Sequence, residues 1–138
     1  MSDSDLLHRF TDRVTDTRDS LEQRLDNEPW DDLGAFGWLR GVRERAVMLE
    51  LRRRDGDVLA VGYGWLERAE YDPSRGITLH VAGQPIRIRG SSLNAPVRPH
   101  VRLFEGIVRH CVPWIREAGM GERMRAFEGA CTVEAIEW

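Results

Sequence analysis

The sequence has 138 residues, of which 41% are hydrophobic and 31% charged, and its formal net charge is -3. This length and apolar content predict one domain over residues 1–138 with one core. No apolar run approaches the roughly 20 residues that cross a bilayer and no signal-peptide core follows the N-terminus, so the composition predicts a cytoplasmic protein and excludes a membrane segment.

Residues 1–25 are predicted to form an amphipathic helix with Ser4 as its N-cap. The positions that recur at steps of three and four residues are Leu7, Phe10, Val14, Thr17, Leu21 and Leu25. Residues 26–45 break this period with a proline and three glycines. They predict a connector whose aromatic side chains pack onto the core, with an exposed aromatic binding loop as the alternative.

Residues 46–90 are predicted to form a strongly bent antiparallel meander of four strands, each apolar on one face. In the first hairpin, a bulged turn with Gly56 at positive φ places Leu49 opposite Val61. A tighter turn would place Leu49 opposite Gly62 and divide the large apolar residues between the two faces. The bulged turn is therefore the predicted one.

The second strand of the meander is predicted to continue through Trp65, with its glycines permitting a bend as in a small barrel. A turn at 72–76 leads to the third strand, and the Gly83-Gln84 turn returns the chain as the fourth. The resulting cross-strand pairs are Val81 with Ile86, Leu79 with Ile88, His80 with Arg87 and Thr78 with Arg89.

Residues 99–118 are predicted to form the main core helix, which Pro113 kinks or ends near Val112. Its apolar stripe consists of Val101, Phe104, Val108, Cys111 and Ile115. Residues 130–138 have a β-like composition and predict a strand that joins an edge of the sheet. The predicted fold class is therefore α+β: an N-terminal amphipathic helix, the bent four-stranded meander, a core helix and a C-terminal strand.

The outward face of the third and fourth strands carries the candidate binding site, formed by His80, Arg87 and Arg89. Strand residues separated by two lie about 6.6 to 7 Å apart, so both guanidinium groups can reach one phosphate or carboxylate. His80 adds charge in weakly acidic solution, and the loop that starts at Gly90 can add amide donors. The pattern predicts recognition of a small anion or acidic partner, with a solvated sheet face as the alternative.

Signals for catalysis, metals and cofactors are weak throughout the sequence. All 20 basic residues are arginine, which excludes a Schiff-base lysine and a Walker-type lysine. His110 and Cys111 lack the spacing of paired metal ligands, and the Ser91-Ser92 pair has no glycine elbow. Cys111 and Cys131 are interpreted as reduced core thiols. These observations predict no catalytic residue, metal or cofactor.

Residues 46–94 resemble the Sm-like small barrel. The resemblance rests on the Asp55-Gly56 turn, the bent glycine-bearing strand and the run from Ile86 to Gly90. In that family an Arg-Gly step lies near the RNA-binding loop, which implies RNA binding through Arg89. The sequence departs from the family by lacking the usual asparagine in the preceding turn, and the resemblance leaves residues 99–118 unexplained.

We therefore expect a non-enzymatic adaptor or binding module. A small enzyme whose site assembles only in tertiary structure is one alternative, and an Sm-like RNA-binding module is another. The net charge argues against a general nucleic-acid binder, so the expected partners are a protein or a small anion. The narrow stripe of the predicted N-terminal helix and a free edge at the terminal strand further predict a homodimer.

Overall fold

A computed structural model describes residues 28–121 and 129–138. Nine strands in these ranges form three sheets, with little helix between them. The strands are β1 (Trp30–Asp32), β2 (Gly37–Leu39), β3 (Met48–Arg52), β4 (Val58–Gly62), β5 (Leu66–Asp72), β6 (Gly76–Val81), β7 (Gln84–Ser91), β8 (Trp114–Arg116) and β9 (Thr132–Glu137). Helix α1 (Leu103–Val108) follows β7, and a 3-10 turn (Tyr63–Trp65) follows β4. The α+β prediction is therefore wrong, because the described chain is mostly β; the helix predicted over 1–25 lies outside the described residues.

The first hairpin has the predicted register. β3 and β4 pair antiparallel with Leu49 opposite Val61, and Gly56 in the turn has a φ of 101°. Leu49 and Leu51 are buried, so the register that keeps the large apolar side chains on one face is the one adopted. The predictions of the bulged turn and of its left-handed glycine are confirmed.

The four-stranded meander predicted over residues 46–90 is wrong, because the second strand does not continue through Trp65. β4 ends at Gly62, and the 3-10 turn carries the chain into a different sheet as β5. Tyr63 is buried at this turn, and its hydroxyl donates a hydrogen bond to the carbonyl oxygen of Val112 at 2.6 Å. The predicted meander is therefore divided between two separate sheets, and the described strands form no closed small barrel.

The larger sheet has the strand order β5-β6-β7-β9. β6 and β7 are joined by a two-residue turn in which Ala82 and Gly83 both have positive φ, of 49° and 83°. This turn places Leu79 opposite Ile86 and His80 opposite Pro85, so the predicted register is wrong by two residues. A shift of two preserves the side-chain faces, and the apolar residues Ile77, Leu79, Val81, Ile86 and Ile88 are all buried.

The core helix predicted over residues 99–118 is also wrong. α1 has only six residues and is followed by His110 at a φ of 59°, after which Trp114–Arg116 forms β8. Pro113 has no amide hydrogen for a helix, and β8 instead pairs in parallel with β3. Both Trp114 and Ile115 are buried, as is typical of a strand covered on both faces.

The connector predicted over 26–45 contains the β1–β2 hairpin within its described part. Phe36 is fully buried and forms a bridge with Ile115, so the predicted packing of this aromatic residue on the core is confirmed. β9 pairs antiparallel with β7 at the sheet edge, which confirms the C-terminal strand. In the described ranges, no helix has the length and apolar character needed to cross a membrane.

Replacing Gly56 by alanine is predicted to lower the free energy of unfolding by about 1 kcal/mol, because alanine is strained at this positive φ. Gly64→Ala is the matched control. A Cβ at either position meets no atom within 4 Å, but Gly64 does not have a positive φ. Equilibrium denaturation should separate the two variants; equal midpoints would contradict the conformational explanation.

Candidate anion-binding site

The outward face of the β5-β6-β7-β9 sheet contains an open groove of about 840 Å³. Its lining combines the predicted site residues with acidic side chains from two strands, β5 and β9. The charged and titratable lining residues are Glu70, Asp72, Arg75, His80, Arg87, Arg89 and Glu134. Thr78 and Gly90 also line the groove.

Strand alternation brings the predicted site residues to this face. Thr78 and His80 project from β6, and Arg87 and Arg89 project from β7, while the residues between them enter the core. Thr78 lies directly opposite Arg87. The predicted common face of His80, Arg87 and Arg89 is therefore present, although the predicted opposition of His80 and Arg87 is not.

Arg87 has a guanidinium group that is available for a ligand. Its side chain is exposed and has no ion-pair or hydrogen-bond partner among residues 28–121 and 129–138. Arg89 differs, because its Nε lies 3.4 Å from Oε1 of Glu137, although half of its side chain remains exposed. An incoming anion would bind Arg87 without displacing a carboxylate, whereas Arg89 would exchange or share one.

His80 lies beside an acidic neighbour on the adjoining strand β5. Its Nε2 is 3.8 Å from Oε1 of Glu70, which also accepts a contact from Arg68 at 2.5 Å. Pro85 rather than Arg87 is the residue opposite His80, so His80 and Arg87 are diagonal neighbours at about 7 to 8 Å between Cα atoms. His80 thus lies on the same face of the sheet as Arg87 but is not its direct cross-strand neighbour.

The predicted amide-donor loop at Gly90–Ser92 is largely replaced by strand. Gly90 and Ser91 belong to β7 and pair with Val133 and Thr132 of β9. A Cβ on Gly90 would lie only 1.9 Å from the carbonyl oxygen of Thr132, so close strand packing explains this glycine. The prediction that these residues offer a free loop to an anion is wrong.

Arg75 is a lining residue that the sequence analysis missed. It lies in the turn between β5 and β6, where its amide donates to the carbonyl oxygen of Asp72 at 3.1 Å. The turn pattern at 72–76 could have indicated it, since such a turn joins two strands at the end of the same face. Arg75 adds a third guanidinium group to the groove.

Acidic side chains keep the groove close to neutral. The hydroxyl and the amide of Ser74 donate hydrogen bonds to Oδ1 of Asp72 at 2.6 and 2.8 Å and hold the pKa of this carboxyl below its ordinary value. Oε1 of Glu134 lies 3.2 Å from the hydroxyl of Ser91. The groove therefore combines two guanidinium groups that form no ion pair within the described residues, those of Arg75 and Arg87, with a carboxylate rim.

Other reactive groups lie away from the groove and are protected. Burial raises the pKa of the Cys131 thiol to about 11, which keeps it protonated near neutral pH. Cys111 is buried and free. The described part of the chain has no group of three His, Cys, Asp or Glu side chains arranged to hold a metal ion.

Comparisons of the chain with protein-family models, with curated proteins and with solved structures give no match.

Ser74→Ala is predicted to raise the pKa of Asp72 toward its ordinary value, because the hydroxyl contributes the largest hydrogen-bond effect on this carboxyl. A lowered folded-state pKa stabilises the protein above the unfolded-state pKa, and this contribution is lost as the pH falls through the folded-state value. Carboxyl NMR titration measures the change. Ser91→Ala, which removes a hydroxyl near Glu134 instead, is the control, and equal Asp72 titrations in the two variants would contradict the assignment.

Proposed function

We propose that this protein is a non-enzymatic binding module that holds a small anionic group, a phosphate or a carboxylate, against Arg87. The observation that carries the proposal is the exposed side chain of Arg87 in a groove of ligand size. It forms no ion pair within the described residues, because Glu137, which lies opposite it on β9, contacts Arg89 instead. Arg68 and Arg89 on the same face each contact a carboxylate. Arg87 can therefore accept an anion at lower cost than its neighbours.

The carboxylate rim favours a compact anion over a long one. Glu70, Asp72 and Glu134 line the same groove, so an extended polyanion would bring further phosphates against them. A single phosphate or carboxylate can lie between Arg87 and Arg89 at the centre of the face. The alternative of an Sm-like RNA-binding module has less support, because the strands that would form its barrel lie in two sheets.

The lowered pKa of Asp72 gives no support for a catalytic carboxyl group in the groove. In the described ranges, the groups with a displaced pKa are Asp31, Tyr63, Asp72 and Cys131. Only Asp72 lines the groove, and its lowered pKa results from the local hydrogen bonds of a turn. A catalytic acid or base at neutral pH would need the opposite shift in a carboxyl group.

Arg87→Gln is predicted to weaken the binding of inorganic phosphate by about tenfold or more, since it removes a charge-assisted hydrogen-bond donor pair. Arg87→Gln/Arg89→Gln should weaken it further, and added salt should weaken the wild-type complex. Amide chemical shifts recorded during a phosphate titration measure the affinity.

The control for this experiment is Arg43→Gln, which removes another exposed arginine without a side-chain partner in the described structure, outside the groove. It should leave phosphate binding unchanged. Unaltered affinity in the double variant, or an equal loss in Arg43→Gln, would exclude the proposed site. Repeating the titration with acetate distinguishes a carboxylate preference from a phosphate preference.

A further inference from the structure

The strand β4 is an outer strand of the β4-β3-β8 sheet, and no described strand pairs with its other edge. Its sequence, Val58–Gly62, contains neither a charged residue nor a proline. Charged residues and prolines are features with which proteins usually prevent edge strands from pairing with further strands. β4 lacks both of them.

In an antiparallel strand, alternate residues direct their backbone amides and carbonyls to opposite edges, and the hydrogen bonds of the hairpin show which residues of β4 bond to β3. The Tyr63 amide donates to the Val47 carbonyl and the Arg53 amide to the Asp57 carbonyl, so the odd-numbered residues of β4 bond to β3. The amides of Val58, Ala60 and Gly62 and the carbonyls of Val58 and Ala60 therefore point to the free edge, whereas the carbonyl of Gly62 accepts the first hydrogen bond of the 3-10 turn. Val58 and Ala60 are also exposed.

The edge of β9, in contrast, is covered by charged side chains. The amide of Ile136 donates to Oε2 of Glu117 at 2.7 Å, and its carbonyl accepts from Nε of Arg53 at 3.0 Å. Arg54 donates to the carbonyl of Glu134 at 2.7 Å. The prediction that the terminal strand offers a free edge for self-association is therefore wrong.

The remaining edges of the two larger sheets are protected as well. The outer edge of β8 is occupied where the Arg116 amide donates to the carbonyl of Ala35 at 2.9 Å. Four of the seven residues of β5 are charged. Among the described strands of these sheets, β4 is thus the one whose edge has neither a covering segment nor a charge.

We propose that two copies of the chain associate through antiparallel pairing of their β4 edges, with Ala60 on the two-fold axis. In this register Ala60 meets itself, and Val58 lies opposite Gly62 of the second copy, so the free amides and carbonyls face each other in hydrogen-bonded pairs. No like charges meet. The edge is thus complementary to itself in its hydrogen-bonding groups, which favours a second copy of the chain over an unrelated strand as the binding partner.

Exposed apolar side chains on the adjoining face support this partner. Met48 is 46% exposed and Trp65 is 68% exposed, and both lie beside Gly62, where a Cβ would be 3.7 Å from Sδ of Met48 and 3.1 Å from the ring of Trp65. Val58, 54% exposed, would be brought over this position of the second copy. Pairing would cover the three side chains in both copies at once.

The test introduces charges at Ala60, on the two-fold axis of the proposed dimer, and uses the 138-residue chain. Sedimentation equilibrium at roughly tens of micromolar should give twice the monomer mass of 15.9 kDa for the wild type. Ala60→Glu and Ala60→Lys should each weaken self-association by at least about tenfold, because like charges then meet directly across the strands. An equimolar mixture of the two variants should restore the dimer, since opposite charges meet instead.

Val42→Glu is the control, because it adds the same charge at an apolar residue that is 87% exposed and lies outside β4. It should remain dimeric. Restoration in the mixture also requires both Ala60 variants to be folded. A monomeric wild type, a dimer that persists in Ala60→Glu, or a mixture that stays monomeric would each overturn the β4 interface, and none of these results bears on phosphate binding at Arg87.

Discussion

The buried side chain of Tyr63 fixes the point at which the chain leaves one sheet and enters the other. A buried phenol needs an acceptor, and Tyr63 finds it in the carbonyl oxygen of Val112, while its ring stacks on His110 with 4.4 Å between centroids. Burial also raises the pKa of Tyr63, which keeps its hydroxyl a donor. Both proposed surfaces depend on this contact, because the turn ends β4 with a free edge and starts the sheet that carries Arg87.

Local patterns were sufficient where the interactions are local. The first hairpin was predicted because its turn chemistry and its alternation favour the same register, with Leu49 opposite Val61. Local patterns do not predict the end of β4. The apolar alternation continues through Tyr63, but the hydrogen bond of Tyr63 to Val112, 49 residues away, holds the residue in a turn. Local patterns also failed at residues 99–118, because the helical spacing there competes with a parallel pairing to β3 that no local pattern reveals.

The candidate site was predicted in part for the same reason. The alternation of side chains along a strand places Arg87 and Arg89 on one outward face, and an error of two residues in register does not change which face a residue is on. The error arose because Ala82 adopts the left-handed conformation, which is uncommon outside glycine, asparagine and aspartate. The acidic partner Glu137 could not be predicted, since it reaches the site from β9 through non-local pairing with β7. Glu70 reaches the site from β5 through the local β5-β6 hairpin, but its side chain was not assigned to the site from the sequence.

The most direct test of this account compares the two tyrosines of the chain. Tyr63→Phe leaves the carbonyl of Val112 without its buried donor, and it is predicted to lower the free energy of unfolding by about 1 to 2 kcal/mol. Tyr71→Phe is the control, because the hydroxyl of Tyr71 has no hydrogen bond in the described structure while its ring also packs on an aromatic neighbour, Phe104. Urea denaturation should show a clear loss for the first variant and a change within about 0.5 kcal/mol for the second. Equal stability of the two variants would contradict the role assigned to Tyr63.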